Sequence, residues 1–143
     1  MERRSDDEDE YVLLLEWRTA LRRFLKSSED RAAAAGLTPM QHQLLVAIRG
    51  SVDPDGPTIG DVAELLLLRP HSVVELVDRA VAAGLVERRR DADDQRVVRL
   101  HLAARGLRKL ERVTEANREE LLAVSRALAR VARRYGPPTS AAR

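Results

Sequence analysis

The stretch from Thr58 to Leu102 constrains this chain more than any other. Thr58, with Asp61 three residues on, is a capping signal that opens a short helix through Val62, Ala63, Leu65 and Leu66. A turn follows at Leu67 to Arg69. Pro70 suits a first helical position and starts a second helix, with Val73, Leu76, Val77, Ala80 and Val81 on one face and Gly84 as its stop. The pattern then changes period. Leu85 to Arg90 reads as a strand, Asp91 to Arg96 as a polar tip, and Val97 to Leu102 as a returning strand. In that second strand Val98, Leu100 and Leu102 fall on one side and Val97, Arg99 and His101 on the other. The tip is longer than a two-residue hairpin turn, so it projects.

Two short helices joined by a tight turn, with a hairpin behind them, imply a mainly α fold with a small β-hairpin wing, a winged helix-turn-helix. The flanks are helical as well. Tyr11, Leu14, Trp17, Leu21, Phe24 and Leu25 recur at spacings of three and four, and Val12, Leu13, Leu15 and Ala20 widen the apolar arc. Such a broad arc packs on more than one surface. Gly36 ends this region after Ala32 to Ala35. Thr38, Pro39 and Gln41 form another N-terminal signal, and the helix they open buries Leu44, Leu45, Ala47 and Ile48 before the loop Ser51 to Pro57. From Ala104 a near-heptad stripe runs through Leu107, Leu110, Val113, Asn117, Leu121, Val124, Leu128 and Val131 to Tyr135. A helix that long exceeds what the body needs for its own core, so its seam calls for the first helix or a second copy of the chain. The expected organisation is a disordered acidic leader over 1–9, a single domain over 10–135 with dimerisation helices at 10–35 and 104–135 around a winged helix-turn-helix at 37–102, and a disordered tail over 136–143.

Composition narrows the chemistry. With 44% hydrophobic but only 3% aromatic residues, the core must be aliphatic. No cysteine occurs, which excludes disulfides, thiolate metal sites and thiol nucleophiles. The net charge of +2 is uneven: the first ten residues hold six acids and two bases, leaving a modestly basic body suited to an anionic partner such as nucleic acid. No apolar run approaches the roughly 18 residues of a membrane span. The opening MERRSDDEDE has no secretory apolar stretch, so no membrane partner and a cytoplasmic location are expected. His42, His71 and His101 lie far apart with no paired-histidine spacing, and Asp91, Asp93 and Asp94 lack the ligand spacing of a calcium loop. With no glycine-rich phosphate loop and no nucleophile motif, neither a metal, a cofactor nor an enzyme activity is expected.

The segments LTPMQHQLLVAI from Leu37, TIGDVAELL from Thr58, HSVVELVDRAVAAGLVERR from His71 and DADDQRVVRLHL from Asp91 together resemble the MarR family of bacterial regulators, in the family's order and spacing. The resemblance covers roughly residues 10–125 and is most specific at Val77-Asp78-Arg79, Gly84-Leu85-Val86 and the tip that follows. It implies a homodimeric repressor on a pseudo-palindromic operator in double-stranded DNA, with terminal helices forming the dimer and a small aromatic or phenolic molecule loosening the grip. The alternatives from other classes are a winged-helix protein-interaction module and a ligand-independent DNA-binding regulator.

On that reading the helix from Pro70 buries Val73, Leu76, Val77 and Ala80 and turns Arg69, His71, Ser72, Val74, Glu75 and Arg79 toward a major groove. Arg69 has the reach for a guanine edge or a phosphate, and Ser72 with the first-turn amides suits a phosphate. His71 and Glu75 can touch base edges. Arg88, Arg89, Arg90, Arg96 and Arg99 cluster in the hairpin. By resemblance Arg96 is the tip arginine that enters the minor groove and Asp94 is the carboxylate that orients it, as the focused potential of a narrow groove favours. Three departures stand out. Leu67 and Arg69 occupy positions where the family often has Gly and a capping Ser, Glu75 stands where a basic or polar residue is common, and Gln95 replaces a frequent Arg. An effector site between the dimer helices and the reading head would draw on Trp17, Arg18 and His42, with Leu21, Leu45 and Val113 as further walls.

Overall fold

The computed structural model of the chain describes residues 2–136, with side chains from residue 9 onward. In chain order the elements are α1 (Glu2–Ala34), α2 (Pro39–Gly50), α3 (Ile59–Leu66), α4 (Pro70–Ala82), β1 (Val86–Arg90), β2 (Val98–Leu102), α5 (Ala104–Ala116) and α6 (Arg118–Tyr135). This is the winged helix-turn-helix class read from the sequence. Two compact units emerge. One is Ala32–Glu115; the other combines the chain up to Arg31 with the chain from Ala116 onward.

The Ala32–Glu115 unit is built from local signals. Both expected capping boxes form. Thr38 Oγ1 accepts from the Gln41 amide at 3.1 Å while Gln41 Oε1 accepts from the Thr38 amide at 3.0 Å, and Thr58 and Asp61 repeat the exchange at 3.2 and 2.9 Å. Each such cap contributes about 1 kcal/mol. The core is aliphatic: Leu44, Leu45, Val62, Val73, Val77 and Leu100 are buried together, and α5 adds Leu110 and Val113. The C-terminal segment thus serves this core with α5. The turn between α3 and α4 is made by Leu67 in the left-handed region at φ 54, its side chain exposed. A leucine there costs about 1 kcal/mol relative to glycine, a local strain in the turn that aims α4. Gly84, at φ 72, ends α4 as read.

The hairpin pairs Val86 with Leu102, Arg88 with Leu100 and Arg90 with Val98. Each strand is one residue shorter than the sequence suggests, because the Leu85 amide caps α4 on Ala80 O and the Val97 amide closes the tip turn on Asp94 O. Alternation also fails to describe β2 fully. Leu100 is buried, but Arg99 on the opposite side is nearly covered too, since the Asp53–Pro57 loop lies over it.

The second unit differs from expectation in two ways. α1 starts at Glu2, so residues 2–9 of the acidic leader, read as disordered, are helical backbone. The segment from Ala104 is not one helix but two, broken at Asn117. That side chain, read as one step of an apolar stripe, is buried and polar-bonded: Nδ2 donates to Ser28 Oγ at 3.0 Å and Oδ1 accepts from Arg31 Nη1 at 3.1 Å. Arg31 also grips Glu120 through two bonds at 2.6 and 2.9 Å, and Ser27 donates to the same carboxylate. A polar cluster that joins α1 to the start of α6 interrupts the heptad. The tail expected over 136–143 lies outside the described residues apart from Gly136, the C-cap of α6.

Arg31 first, with the Glu120 amide and Ser27, holds the Glu120 carboxyl at about 2, below its ordinary 4.5. A depressed carboxylate stabilises the fold above its unfolded value, and that contribution disappears as pH falls toward the folded value. Glu120→Gln is therefore expected to flatten the acid limb of the stability profile between pH 4.5 and about 2. Chemical denaturation across that window checks it, and parallel profiles for the two proteins would remove Glu120 from the account.

Candidate nucleic-acid interface

Every residue that the sequence proposed for DNA contact lies in the Ala32–Glu115 unit, on α4 and the hairpin. The apolar face of α4, Val73, Leu76, Val77 and Ala80, is sunk in the core, which fixes the helix's rotation about its axis. The opposite face is then outward by geometry. Arg69, His71, Val74, Glu75 and Arg79 are exposed and Ser72 is half-buried. Arg69 is the N-cap of α4 but makes no side-chain cap, so its guanidinium and the first-turn amides are both uncommitted. Among the described residues no side-chain hydrogen bond or ion pair engages Arg69, His71, Glu75 or Arg79. Glu75 in particular does not pair with Arg79, the partner that would have neutralised an acid on this face.

The hairpin arginines separate into different tasks. Arg96 is the outward one: its side chain is 91% exposed, and Asp94 holds it from both carboxylate oxygens, Oδ1 to Nε and Oδ2 to Nη2, each at 3.1 Å. The Arg96 amide also donates to Asp94 Oδ1 at 3.0 Å. The orienting pair read from the sequence is thus present, and it holds the Asp94 carboxyl below its ordinary value. A guanidinium held at its base by a bidentate carboxylate has its orientation fixed while most of its surface faces solvent. Arg90 is turned back, donating from Nη1 to the Gln95 carbonyl at 2.7 Å and bracing the tip. Arg89 pairs with Glu87 at 3.0 Å and stays exposed. Arg88 is ion-paired with Asp78 and ties β1 to α4.

Arg99 departs most from the cluster in which the sequence placed it. Only 19% exposed, it donates from Nε to Asp91 Oδ2 at 3.0 Å and from Nη1 to Asp53 Oδ2 at 2.8 Å and to the Gly56 carbonyl at 3.1 Å. It is an internal bond-maker. Sequence reasoning missed Asp53 and the inward use of Asp91. A signal existed, because register places Arg99 opposite Arg89, and like charges facing across a ladder need counter-ions.

The effector candidates fall in different places. Trp17, half-buried, and Arg18, exposed, lie on α1 in the second unit. A groove in that unit is lined by Leu15, Glu16, Ala20 and Arg23 of α1 and by Ala123 and Ala127 of α6, without Trp17 or Arg18. His42 belongs to α2 in the other unit, where burial lowers its pKa. Among the described residues no group of three or more His, Asp or Glu is placed to hold a metal ion, and no helix is long and apolar enough to cross a membrane.

Comparison with known proteins agrees with this geometry. The model of the MarR family matches residues 35–97, from the end of α1 through the wing tip. Over 64 residues the chain is 38% identical to the uncharacterized HTH-type transcriptional regulator YsmB of Bacillus subtilis, and over 65 residues it is 34% identical to a LexA repressor of Magnetococcus marinus. Those matches take in 45% and 44% of this chain, and the chain spans only 44% and 28% of the lengths of these curated relatives. Among solved structures, a MarR-family transcription regulator superposes with a TM-score of 0.71 at 20% identity, over 93% of this chain and 99% of that one. A variant of MarR from E. coli complexed with operator DNA superposes with a TM-score of 0.62 at 18% identity, over 84% and 90% of the two chains. The chain thus matches the MarR family's model through its helix-turn-helix and wing and shares the winged-helix fold of these structures along most of its length.

Proposed function

We propose that the protein is a homodimeric, sequence-specific DNA-binding transcriptional regulator, a repressor released by a small aromatic or phenolic ligand. The observation that carries DNA binding is the pairing of an outward α4 face, bearing the uncommitted Arg69 and Arg79, with a carboxylate-braced, solvent-facing Arg96 on the hairpin. The first suits a major groove and the second the adjacent minor groove. Arg69, His71, Ser72, Glu75 and Arg79 are the proposed groove contacts of α4. Arg89 and Arg90 flank the tip that Asp94 and Arg96 form. The reading is supported by the fold shared with a MarR variant complexed with operator DNA and by the names of the curated relatives, one a repressor and one a transcriptional regulator.

The test is selection of duplexes from a random-sequence pool, followed by a salt titration of the selected fragment. Phosphate contacts give a steep log–log salt slope, about −0.9 for each phosphate neutralised. Binding without sequence preference, or a flat slope, rejects the proposal and favours a protein-interaction module.

The dimer part of the proposal rests on α1 and α6, which leave Tyr11, Val12, Leu15, Leu121, Leu122 and Leu128 exposed. Apolar surface of that extent needs a covering partner, and a second copy would set two α4 helices about one DNA turn apart, ~34 Å. Leu121→Asp is expected to convert the dimer to monomer in sedimentation; an intact dimer would reject this seam. The effector part keeps Trp17, Arg18 and His42 as its candidate contacts. Titration of phenolic compounds against the bound duplex checks it, and a complex that no compound releases would favour a ligand-independent regulator.

A further inference from the structure

We propose that Arg99 is a positioning residue for the wing, setting the height and direction of Arg96 without touching DNA itself. The inference rests on the reading of the wing as a DNA contact and deepens it. A continuous polar path leads from the helical body to the tip. At its root is the Asp53–Gly56 turn, closed by the Gly56 amide on Asp53 O at 3.0 Å and the Asp55 amide on Asp53 Oδ1 at 3.0 Å. Arg99 Nη1 reaches that turn twice, at Asp53 Oδ2 and Gly56 O. Its Nε holds Asp91 Oδ2 at 3.0 Å, and the other oxygen of Asp91 accepts the amides of Asp93 and Asp94 at 3.0 and 3.2 Å. Asp94 then holds Arg96.

The physical need is plain. A two-stranded hairpin is marginal on its own, and from Glu87 to Arg90 its first strand is exposed. The loop before α3 grips it from the other side, with the Leu100 amide on the Pro57 carbonyl at 2.9 Å and Arg99 on Asp53. Arginine is suited to this post because one planar guanidinium satisfies two carboxylates and a carbonyl at once. The carboxyl of Asp91 is held below its ordinary value, first by the amides of Asp93 and Asp94 and then by Arg99, so it stays an anionic acceptor at neutral pH. Paired in this way, Arg99 also tolerates Arg89 directly across the ladder.

Asp53→Asn gives a test whose sign separates positioning from bulk charge. Removing a negative charge from a DNA-binding protein strengthens binding if only the summed field matters. Positioning predicts the reverse: roughly tenfold weaker binding of the selected duplex, the scale of one charged hydrogen bond. Asp55→Asn is the control. It removes the same charge from the same loop, and no side-chain bond from Asp55 reaches the hairpin among the described residues, so its binding should be unchanged or tighter. Arg99→Gln should weaken binding in the parent but add little in the Arg96→Ala background, since Arg99 acts through Arg96.

In the free protein, amide exchange over residues 91–97 should quicken in both Asp53→Asn and Arg99→Gln, while the thermal transition stays cooperative. Asp53→Asn binding as tightly as the parent, or Arg99→Gln weakening binding as much in the Arg96→Ala background as in the parent, would overturn the proposal. If no duplex is selected, the DNA-binding reading itself fails, and unchanged exchange at the tip would still refute the clamp.

Discussion

Replacing Arg96 with alanine is expected to weaken binding of the selected duplex by about 1–3 kcal/mol for each wing that contacts it, which for two wings amounts to a loss of at least ~30-fold. The fold should not register the change. The Arg96 side chain is almost wholly exposed, and its partner Asp94 keeps other bonds in the turn, accepting the Arg96 amide. An exposed ion pair of this kind contributes little to stability, so the melting temperature should match the parent. Two readouts are therefore predicted to separate: affinity falls and the salt slope becomes shallower, while unfolding is unaltered. Asp94→Ala should reproduce part of the affinity loss, because it leaves the guanidinium present but free to rotate. A gel-shift titration that places Arg96→Ala level with the parent would end the case for the wing as a DNA contact.

The second large effect concerns stability, and its sign reverses what helix propensity predicts. Gly106 lies inside α5, where glycine to alanine would ordinarily gain about 1 kcal/mol. A Cβ at this position would instead lie 2.1 Å from the carbonyl oxygen of Leu85. That oxygen belongs to a buried residue and already accepts the Ala103 amide at 3.0 Å. Neither backbone can yield without opening the junction between α4, the wing and α5. Gly106→Ala is thus expected to destabilise the protein by about 3 kcal/mol, the upper end of overpacking costs, and to lower the melting temperature by roughly 10 °C or more. Circular dichroism melts of the two proteins decide the matter, and a variant that melts higher than the parent would refute the close packing of α5 on Leu85.

These two residues mark how far the sequence could be read. Arg96 and Asp94 came from the family resemblance, and the bond between them is legible because the two side chains lie two residues apart. The caps at Thr38 and Thr58, the start of α4 at Pro70 and its stop at Gly84 were likewise legible, since each depends on atoms within a few residues of one another. The buried face of α4 followed from spacing alone, and with it the outward set from Arg69 to Arg79. Gly106 and Arg99 were not legible in the same way. One is a glycine in a helix and the other an arginine in a basic run, and each has a commonplace local explanation. The break at Asn117 was hidden for a related reason: a helical stripe continues through it in projection, and only the partners on α1 reveal that its side chain is buried in a polar cluster.

The order of the helices, the two-stranded hairpin and the aliphatic core follow from the sequence because capping, periodicity and turn formation act over one or two turns of chain. The folded arrangement alone decided that Arg99 faces inward to Asp53, 46 positions away, that Asn117 meets Ser28, 89 positions away, and that Leu85 leaves no room for a methyl group at Gly106. Such contacts depend on where distant backbone segments come to rest. An ion pair or a missing Cβ has the same appearance in a string of letters whether its partner is water or a carbonyl at van der Waals range.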